Sequence, residues 1–197
     1  AARRAGANVI HVQYNLSPLI TKGGVTTVHD LSFFNEPDWF RPQDRLLLQR
    51  FVPPSTRRAE KVITVSEFSK REIARYIPDV AHKTVVAHNA CPKNIQTVSQ
   101  DTARELLREN LGIEQPYLLT IGTRWPRKNM NLAIQAANLL PNELPHKLIV
   151  TGKAGWGEEP ENSRTQFTGF VSNELLCALY ACADLYLAPS LYEGFGI

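Results

Sequence analysis

Four short runs in this chain, at 61–65 (KVITV), 117–121 (YLLTI), 147–150 (KLIV) and 185–188 (LYLA), are apolar at nearly every position. A strand with one wet face alternates apolar and polar residues, whereas an unbroken apolar run belongs to a strand covered on both faces. Such runs alternate here with segments of helical period, which is the pattern of a parallel sheet sandwiched between helices. The pattern predicts strands at 8–13, 25–29, 61–65 and 84–87. After a break it predicts strands at 117–121, 147–151, 165–168 and 185–188. Helices are predicted at 42–59, interrupted or kinked at Pro53-Pro54, at 67–76 with Ser66 as N-cap, and at 101–110 ending at Gly112. Two more are predicted at 129–140 and 172–182. Residues 89–100 carry Asn, Pro, Cys, Lys and Ser without sustained period, so the crossover between two α/β halves is expected there. The halves are bounded as 1–92 and 93–197.

Composition narrows the function. With 43% hydrophobic and 21% charged residues the chain is expected to fold, and 22 basic against 19 acidic residues give a net charge of +3. That balance is too mild to require nucleic acid. The basic pairs Arg3-Arg4, Arg57-Arg58 and Arg127-Lys128 are scattered along the chain. The longest apolar run, Leu175 to Ala183, is about half of the roughly 20 residues a membrane-spanning helix needs. Cys91, Cys177 and Cys182 cannot all pair and none forms C-x-x-C, so they are expected to be buried thiols in a reducing, cytoplasmic compartment. The chain begins without Met and stops at Gly194-Phe195-Gly196-Ile197, directly after a predicted strand and loop. It is therefore expected to be an internal piece of a longer protein.

Ligands of open parallel sheets bind at the carboxyl ends of strands, and four loops in such positions carry unusual residues. In the first, Gly122-Thr123-Arg124-Trp125-Pro126-Arg127-Lys128-Asn129, Gly122 permits a sharp turn and Asn129 can cap the next helix. Three cations beside a helix N-terminus suit a phosphate or diphosphate; a solvated basic turn would use the same residues. In the second, Pro189 to Gly196, glycines around Phe195 allow backbone to approach a ligand and Glu193 offers a carboxylate to hydroxyl groups; a tight surface turn is the alternative. The third is His29-Asp30 at the end of the strand VTTVH, where His29 can be a ligand-binding group or proton carrier, or a structural histidine bonded to a nearby loop. His11, His82, His88 and His146 are weaker candidates, and no pair has metal-ligand spacing. The fourth loop, Gly152-Lys153-Ala154-Gly155-Trp156-Gly157, has the order G-x-x-G-x-G and is followed by Glu158, Glu159, Glu161 and Asn162. That is weak support for a dinucleotide loop. Neither G-x-x-x-x-G-K-[ST] nor G-x-S-x-G occurs.

Taken together, these segments resemble the retaining glycosyltransferases of family 4 (glycosyltransferase group 1), with the GT-B fold. The residues that carry the resemblance are Gly122-Thr123 through Asn129, then Thr168-Gly169-Phe170-Val171, then Leu175, Leu179-Tyr180 and Ala183-Asp184. They end in Pro189-Ser190-Leu191-Tyr192-Glu193-Gly194-Phe195-Gly196. In the first half they are Thr27-Val28-His29-Asp30-Leu31, Val65-Ser66-Glu67-Phe68-Ser69-Lys70 and Val85 to Asn89.

The resemblance implies two Rossmann-like domains: an acceptor-side domain whose later part is 1–92, and a nucleotide-sugar domain whose earlier part is 93–197. It implies that Arg127 and Lys128 hold the donor diphosphate, with Arg124 substituting for a family Arg where Thr123 stands. Glu193 would hold donor-sugar hydroxyls as the first residue of an E-x7-E motif whose second Glu falls beyond Ile197. Backbone N–H groups of Gly194, Phe195 and Gly196 would meet the sugar or phosphate, and His29 would line the acceptor side. Hexose transfer is implied, of mannose from GDP-mannose or glucose from a UDP donor, onto a saccharide or lipid-linked acceptor, with retention and without a metal or other cofactor. Peripheral contact with the inner membrane face, through the part preceding residue 1, is also implied. Ala90 stands where many relatives have Gly. The piece is expected to be inactive alone. Two alternatives stay open: a nucleotide-sugar-binding module without catalysis in this truncated form, and a GT-B-type nucleotide-sugar epimerase.

Overall fold

A computed structural model describes residues 6–91, 95, 97–114, 116–155 and 164–196. Two compact units divide these residues: those of Ala1–Ala90 with Glu193–Ile197, and those of Cys91–Tyr192. Each holds one four-stranded, wholly parallel sheet. The expected α/β class, with its two parallel sheets, is therefore the observed one.

In the first unit β1 (Ile10–Gln13), β2 (Gly24–Val28), β3 (Lys61–Thr64) and β4 (Thr84–Val86) lie side by side in sequence order. The burial of β2 is nearly continuous, and β1 at the edge is partly exposed at every position. Helix α1 (Ser32–Asn35) and a 3-10 turn at Pro37–Trp39 follow β2, and were not foreseen because Leu31-Ser32-Phe33-Phe34 is too short to show a period. Helix α2 (Pro42–Arg58) continues through Pro53-Pro54, so of the expected interruption or kink the interruption does not occur. The prolines remove two backbone donors, yet the helix goes on, with Ala59 N–H bonded to the Ser55 carbonyl at 3.1 Å and the Thr56 hydroxyl to the Pro53 carbonyl at 2.8 Å. The Ser55 hydroxyl also fastens α2 to the end of β1, donating to the Tyr14 carbonyl and accepting from Leu16 N–H, both at 2.6 Å. Helix α3 (Glu67–Tyr76) starts as the sequence predicts, with Ser69 N–H donating to the Ser66 hydroxyl at 3.1 Å. Val28, Leu31, Phe33, Val52, Val62, Ile73 and Ile77 form the core between β2, β3 and the helices.

In the second unit α4 (Gln100–Leu111) precedes β5 (Tyr117–Ile121), α5 (Met130–Asn138), β6 (Lys147–Thr151), β7 (Thr165–Gly169), α6 (Asn173–Cys182) and β8 (Leu185–Tyr186). Gly112, with φ 63°, closes α4 in the left-handed conformation expected of a glycine C-cap. The strand order is β7-β6-β5-β8. One face of this sheet packs Tyr117, Leu119 and Ile149 against Ala103, Leu107, Ala178 and Leu179 of α4 and α6. The other packs Leu148 and Val150 against Ala133, Ile134 and Ala137 of α5. The Tyr117 hydroxyl donates to the Leu179 carbonyl at 2.8 Å, and burial pushes that phenol well above its ordinary pKa. The run LYLA departs from expectation: Leu185 is 54% exposed and Tyr186 43%. Among the described residues β8 pairs with β5 alone, and an apolar run by itself does not report how many strands flank it. The cysteines follow expectation in part: Cys177 is buried, while Cys182 is half-buried and Cys91 exposed.

Candidate functional site

In the second unit, β6 and β7 lie to one side of β5 while β8 lies on the other. The strand order thus reverses between β5 and β8. At such a point the loops leaving the two strands run to opposite sides and open a crevice at the carboxyl ends, where ligands of open α/β sheets bind. The two loops that flank it are the Arg127-Lys128 turn after β5 and the Pro189–Tyr192 segment after β8.

The β5 loop rises from Gly122 and coils into a 3-10 turn at Pro126–Lys128. Asn129 then enters the left-handed region with φ 50°, and its side chain makes no capping bond to α5. The capping role expected for it is therefore absent, because a residue in that conformation does not have the extended backbone of an N-cap acceptor. No acidic residue stands in the first turn of α5. The positive end of the helix and the adjacent Arg127 and Lys128 consequently act in the same sense on an anion. The Lys128 methylenes pass the open side of Gly122, 3.6–3.7 Å from where a β-carbon would sit. The Arg127 guanidinium lies 5.6 Å from the Trp125 ring centroid, and that of Arg124 lies 4.8 Å from the Phe167 ring centroid in β7.

Two contacts tie this loop to the one after β8. The Arg127 carbonyl accepts from Leu191 N–H at 2.8 Å, and Arg127 Nη1 donates to the Tyr192 carbonyl at 3.3 Å. Glu193 is the next residue in the chain. The fourth loop supports the first from behind. Gly152 has φ 137°, and a β-carbon on it would lie 2.2 Å from the Gly122 carbonyl oxygen, so only glycine fits. Lys153 carbonyl then accepts from Arg124 N–H at 3.3 Å. The remainder of that loop, with Trp156, Gly157, Glu158, Glu159, Glu161 and Asn162, lies outside the described residues.

In the first unit His29 sits immediately past the end of β2, half-buried, with its ring 5.9 Å from that of Tyr14. Among the described residues its ring nitrogens make no hydrogen bond, unlike those of His11, which reach the Thr27 hydroxyl at 2.7 Å. The neighbouring Asp30 carboxylate is turned inward, accepting from Ser32 N–H at 3.0 Å and from the Ser32 hydroxyl at 2.6 Å. Residues 193–196, read from the sequence as part of the second half, pack with this unit. Gly194 is buried against the His29 carbonyl, and Phe195 lies with its ring 5.8 Å from that of His88. Glu193 is half-buried and Gly196 exposed, with φ 84°. His88 Nδ1 is 3.2 Å from the Val65 carbonyl oxygen, which gives that histidine a packing role. Ser66 and Ser69, singled out in the sequence only for an N-cap and a resemblance, turn out to bond the Gly194 carbonyl. Nothing in their spacing announces a contact across more than 120 residues. Among the described residues no three His, Cys, Asp or Glu side chains gather as a metal site, and no helix is long and apolar enough to cross a membrane.

Comparison with known proteins bears on the fold and the family. Residues 115–197 match the family described as Glycosyl transferases group 1. The chain is 34% identical over 185 residues to the O-antigen chain mannosyltransferase B of Escherichia coli, covering 88% of this chain and 48% of that protein. It is 26% identical over 156 residues to the serotype-specific mannosyltransferase WbdA of Escherichia coli, covering 71% of this chain and 19% of that one. Its fold is that of the sucrose-phosphate synthase of Thermosynechococcus elongatus, with TM-score 0.73, 21% identity, and coverage of 100% of this chain and 53% of the other. Anabaena Alr3699/HepE, solved in complex with UDP and glucose, matches with TM-score 0.67, 24% identity, and coverage of 89% and 48%. These two parallel α/β units have the fold of GT-B glycosyltransferases, and residues 115–197 are those that match the group 1 glycosyltransferase family. The chain spans about half the length of the first of these relatives, 48%.

Proposed function

We propose that the full-length protein transfers a hexose from a nucleotide-diphosphate sugar to a saccharide or lipid-linked acceptor during polysaccharide assembly. The observation that carries this reading is the pair of bonds from Arg127 to Leu191 and Tyr192 at the point where the strand order reverses. They couple the cationic turn to the segment that leads directly into Glu193. Mannose from GDP-mannose is the favoured donor, because the relatives named above are mannosyltransferases; glucose from a UDP donor is the next to assay.

The roles follow from charge. As the bond between sugar C1 and the phosphate oxygen breaks, negative charge grows on the diphosphate. Arg127 and Lys128 offset it, and Arg124 on Phe167 adds a third positive charge nearby, so fixed cations do the work a metal would do elsewhere. Glu193 accepts from donor-sugar hydroxyls, and N–H groups of Gly194, Phe195 and Gly196 meet the sugar or phosphate. His29 lines the acceptor side. The acceptor hydroxyl attacks C1 from the face the phosphate leaves, and its proton passes to a leaving phosphate oxygen, which retains the configuration at C1. A lipid-linked acceptor puts the enzyme at the cytoplasmic membrane face in peripheral contact.

The test is a product assay on the full-length protein with GDP-mannose, UDP-glucose and other sugar nucleotides. Transfer or hydrolysis of one donor is expected; inertness toward all would overturn the reading. In the same protein His29→Ala is expected to lower transfer at least tenfold while nucleotide affinity stays within twofold. Unaltered transfer would return His29 to a packing role.

A further inference from the structure

The first turn of α3 does more than begin a helix. The Ser66 hydroxyl accepts the Ser69 N–H at 3.1 Å, as a capping serine does, and donates its own proton to the Gly194 carbonyl at 2.5 Å. Ser69, fully buried, has one hydroxyl proton and two acceptors facing it: the His29 carbonyl at 3.0 Å and the Gly194 carbonyl at 3.2 Å. The Gly194 carbonyl thus faces both hydroxyls, and the end of β2, through the His29 carbonyl, faces that of Ser69. Gly194 lies so close to β2 that a β-carbon there would sit 2.3 Å from the His29 carbonyl oxygen, and Phe195 closes the contact against His88.

Holding a carbonyl fixes more than one atom. A trans peptide is planar, and the N–H of the following residue points opposite to the C=O; the described residues contain no cis peptide. With the Gly194 oxygen held toward α3, the Phe195 N–H is aimed the other way, and among the described residues it has no acceptor. The orientation of a donor group is therefore set by serines that lie more than 120 positions earlier in the chain.

We propose that Ser66 and Ser69 are positioning residues for the sugar donor, fixing the Gly194–Phe195 peptide plane and, through it, the Phe195 N–H and the adjoining Glu193. This rests on the proposed donor role of Glu193 and the 194–196 backbone. Neither serine touches the donor; both act through the Gly194 carbonyl. Their loss lowers the rate more than the nucleotide affinity, which is the province of Arg127 and Lys128.

The test separates this role from helix capping by using Ser66→Asp in the full-length protein. Aspartate caps helices as well as serine does, but its ionised carboxylate has no proton to give the Gly194 carbonyl. Chymotryptic cleavage after Phe195, followed by mass spectrometry, is expected to accelerate at least tenfold in Ser66→Asp. With the productive donor, kcat is expected to fall at least tenfold, while Kd for the nucleotide diphosphate and the melting temperature stay near wild type. Ser66→Thr, which both caps and donates, is expected to restore cleavage resistance and kcat. Cleavage at the wild-type rate in Ser66→Asp, or a Ser66→Thr protein as impaired as Ser66→Asp, would overturn the assignment. If the wild-type protein turns over no sugar nucleotide, the donor reading fails by itself, and the protease comparison still decides whether the serines hold residue 194.

Discussion

Replacing Gly194 with alanine is expected to release the 193–196 segment from its seat and to lower transfer by the full-length protein roughly 150-fold. The added β-carbon would stand 2.3 Å from the His29 carbonyl oxygen, 3.1 Å from its carbon and 3.2 Å from Asp30 Cβ. The first two are backbone atoms, so no side-chain rotation relieves the overlap. Overpacking of this kind costs about 1–3 kcal/mol, and the upper end applies where backbone must move; about 3 kcal/mol corresponds to the stated factor. The penalty falls on the docked segment, because the core of Val28, Phe33, Val52, Val62 and Ile73 does not include it. The melting temperature is accordingly expected to change little while transfer is lost. An alanine variant with wild-type transfer would mean that the segment does not need to sit there.

Lys128→Ala is expected to weaken the binding of a nucleoside diphosphate, GDP or UDP, by roughly 10- to 150-fold. A hydrogen bond to a charged group contributes about 1.5–3 kcal/mol, which converts to that range. The Lys128 methylenes pass over Gly122 and lie outside the core of Ala133, Ile134 and Leu148, so truncation leaves that core packed. Arg127 is a poorer site for the test, because its side chain also holds the Tyr192 carbonyl and its truncation would loosen the neighbouring loop. Isothermal titration at two salt concentrations gives the check, with the difference between variant and wild type shrinking at high salt as an electrostatic contribution must. Equal affinities would remove Lys128 from the site.

The sequence made the layers legible where local signals agree. The run Tyr117–Ile121, the Ser66 cap of α3 and the Gly112 stop of α4 were each readable from a few adjacent residues, because periodicity and capping are local effects. Prolines 53 and 54 do not end the helix, since one already held by Ser55 and by buried Val52 and Thr56 tolerates two missing donors. The run LYLA misled because hydrophobicity does not report how many neighbours a strand has. At the site, the residue types were visible but their partners were not. Nothing near Arg127 in sequence shows that it holds the carbonyl before Glu193, and nothing near Ser66 points to Gly194. Those pairings depend on which strand ends the topology brings together.

The most direct test of the account compares two ligands on one variant. If Arg127 and Lys128 hold the diphosphate while Glu193 holds the sugar of the same donor, Glu193→Gln must discriminate between a nucleotide and its sugar conjugate. Titration of the full-length variant is expected to give unchanged affinity for GDP or UDP and at least tenfold weaker affinity for the sugar nucleotide that the wild type uses. A Glu193→Gln protein that binds both as the wild type does would contradict it.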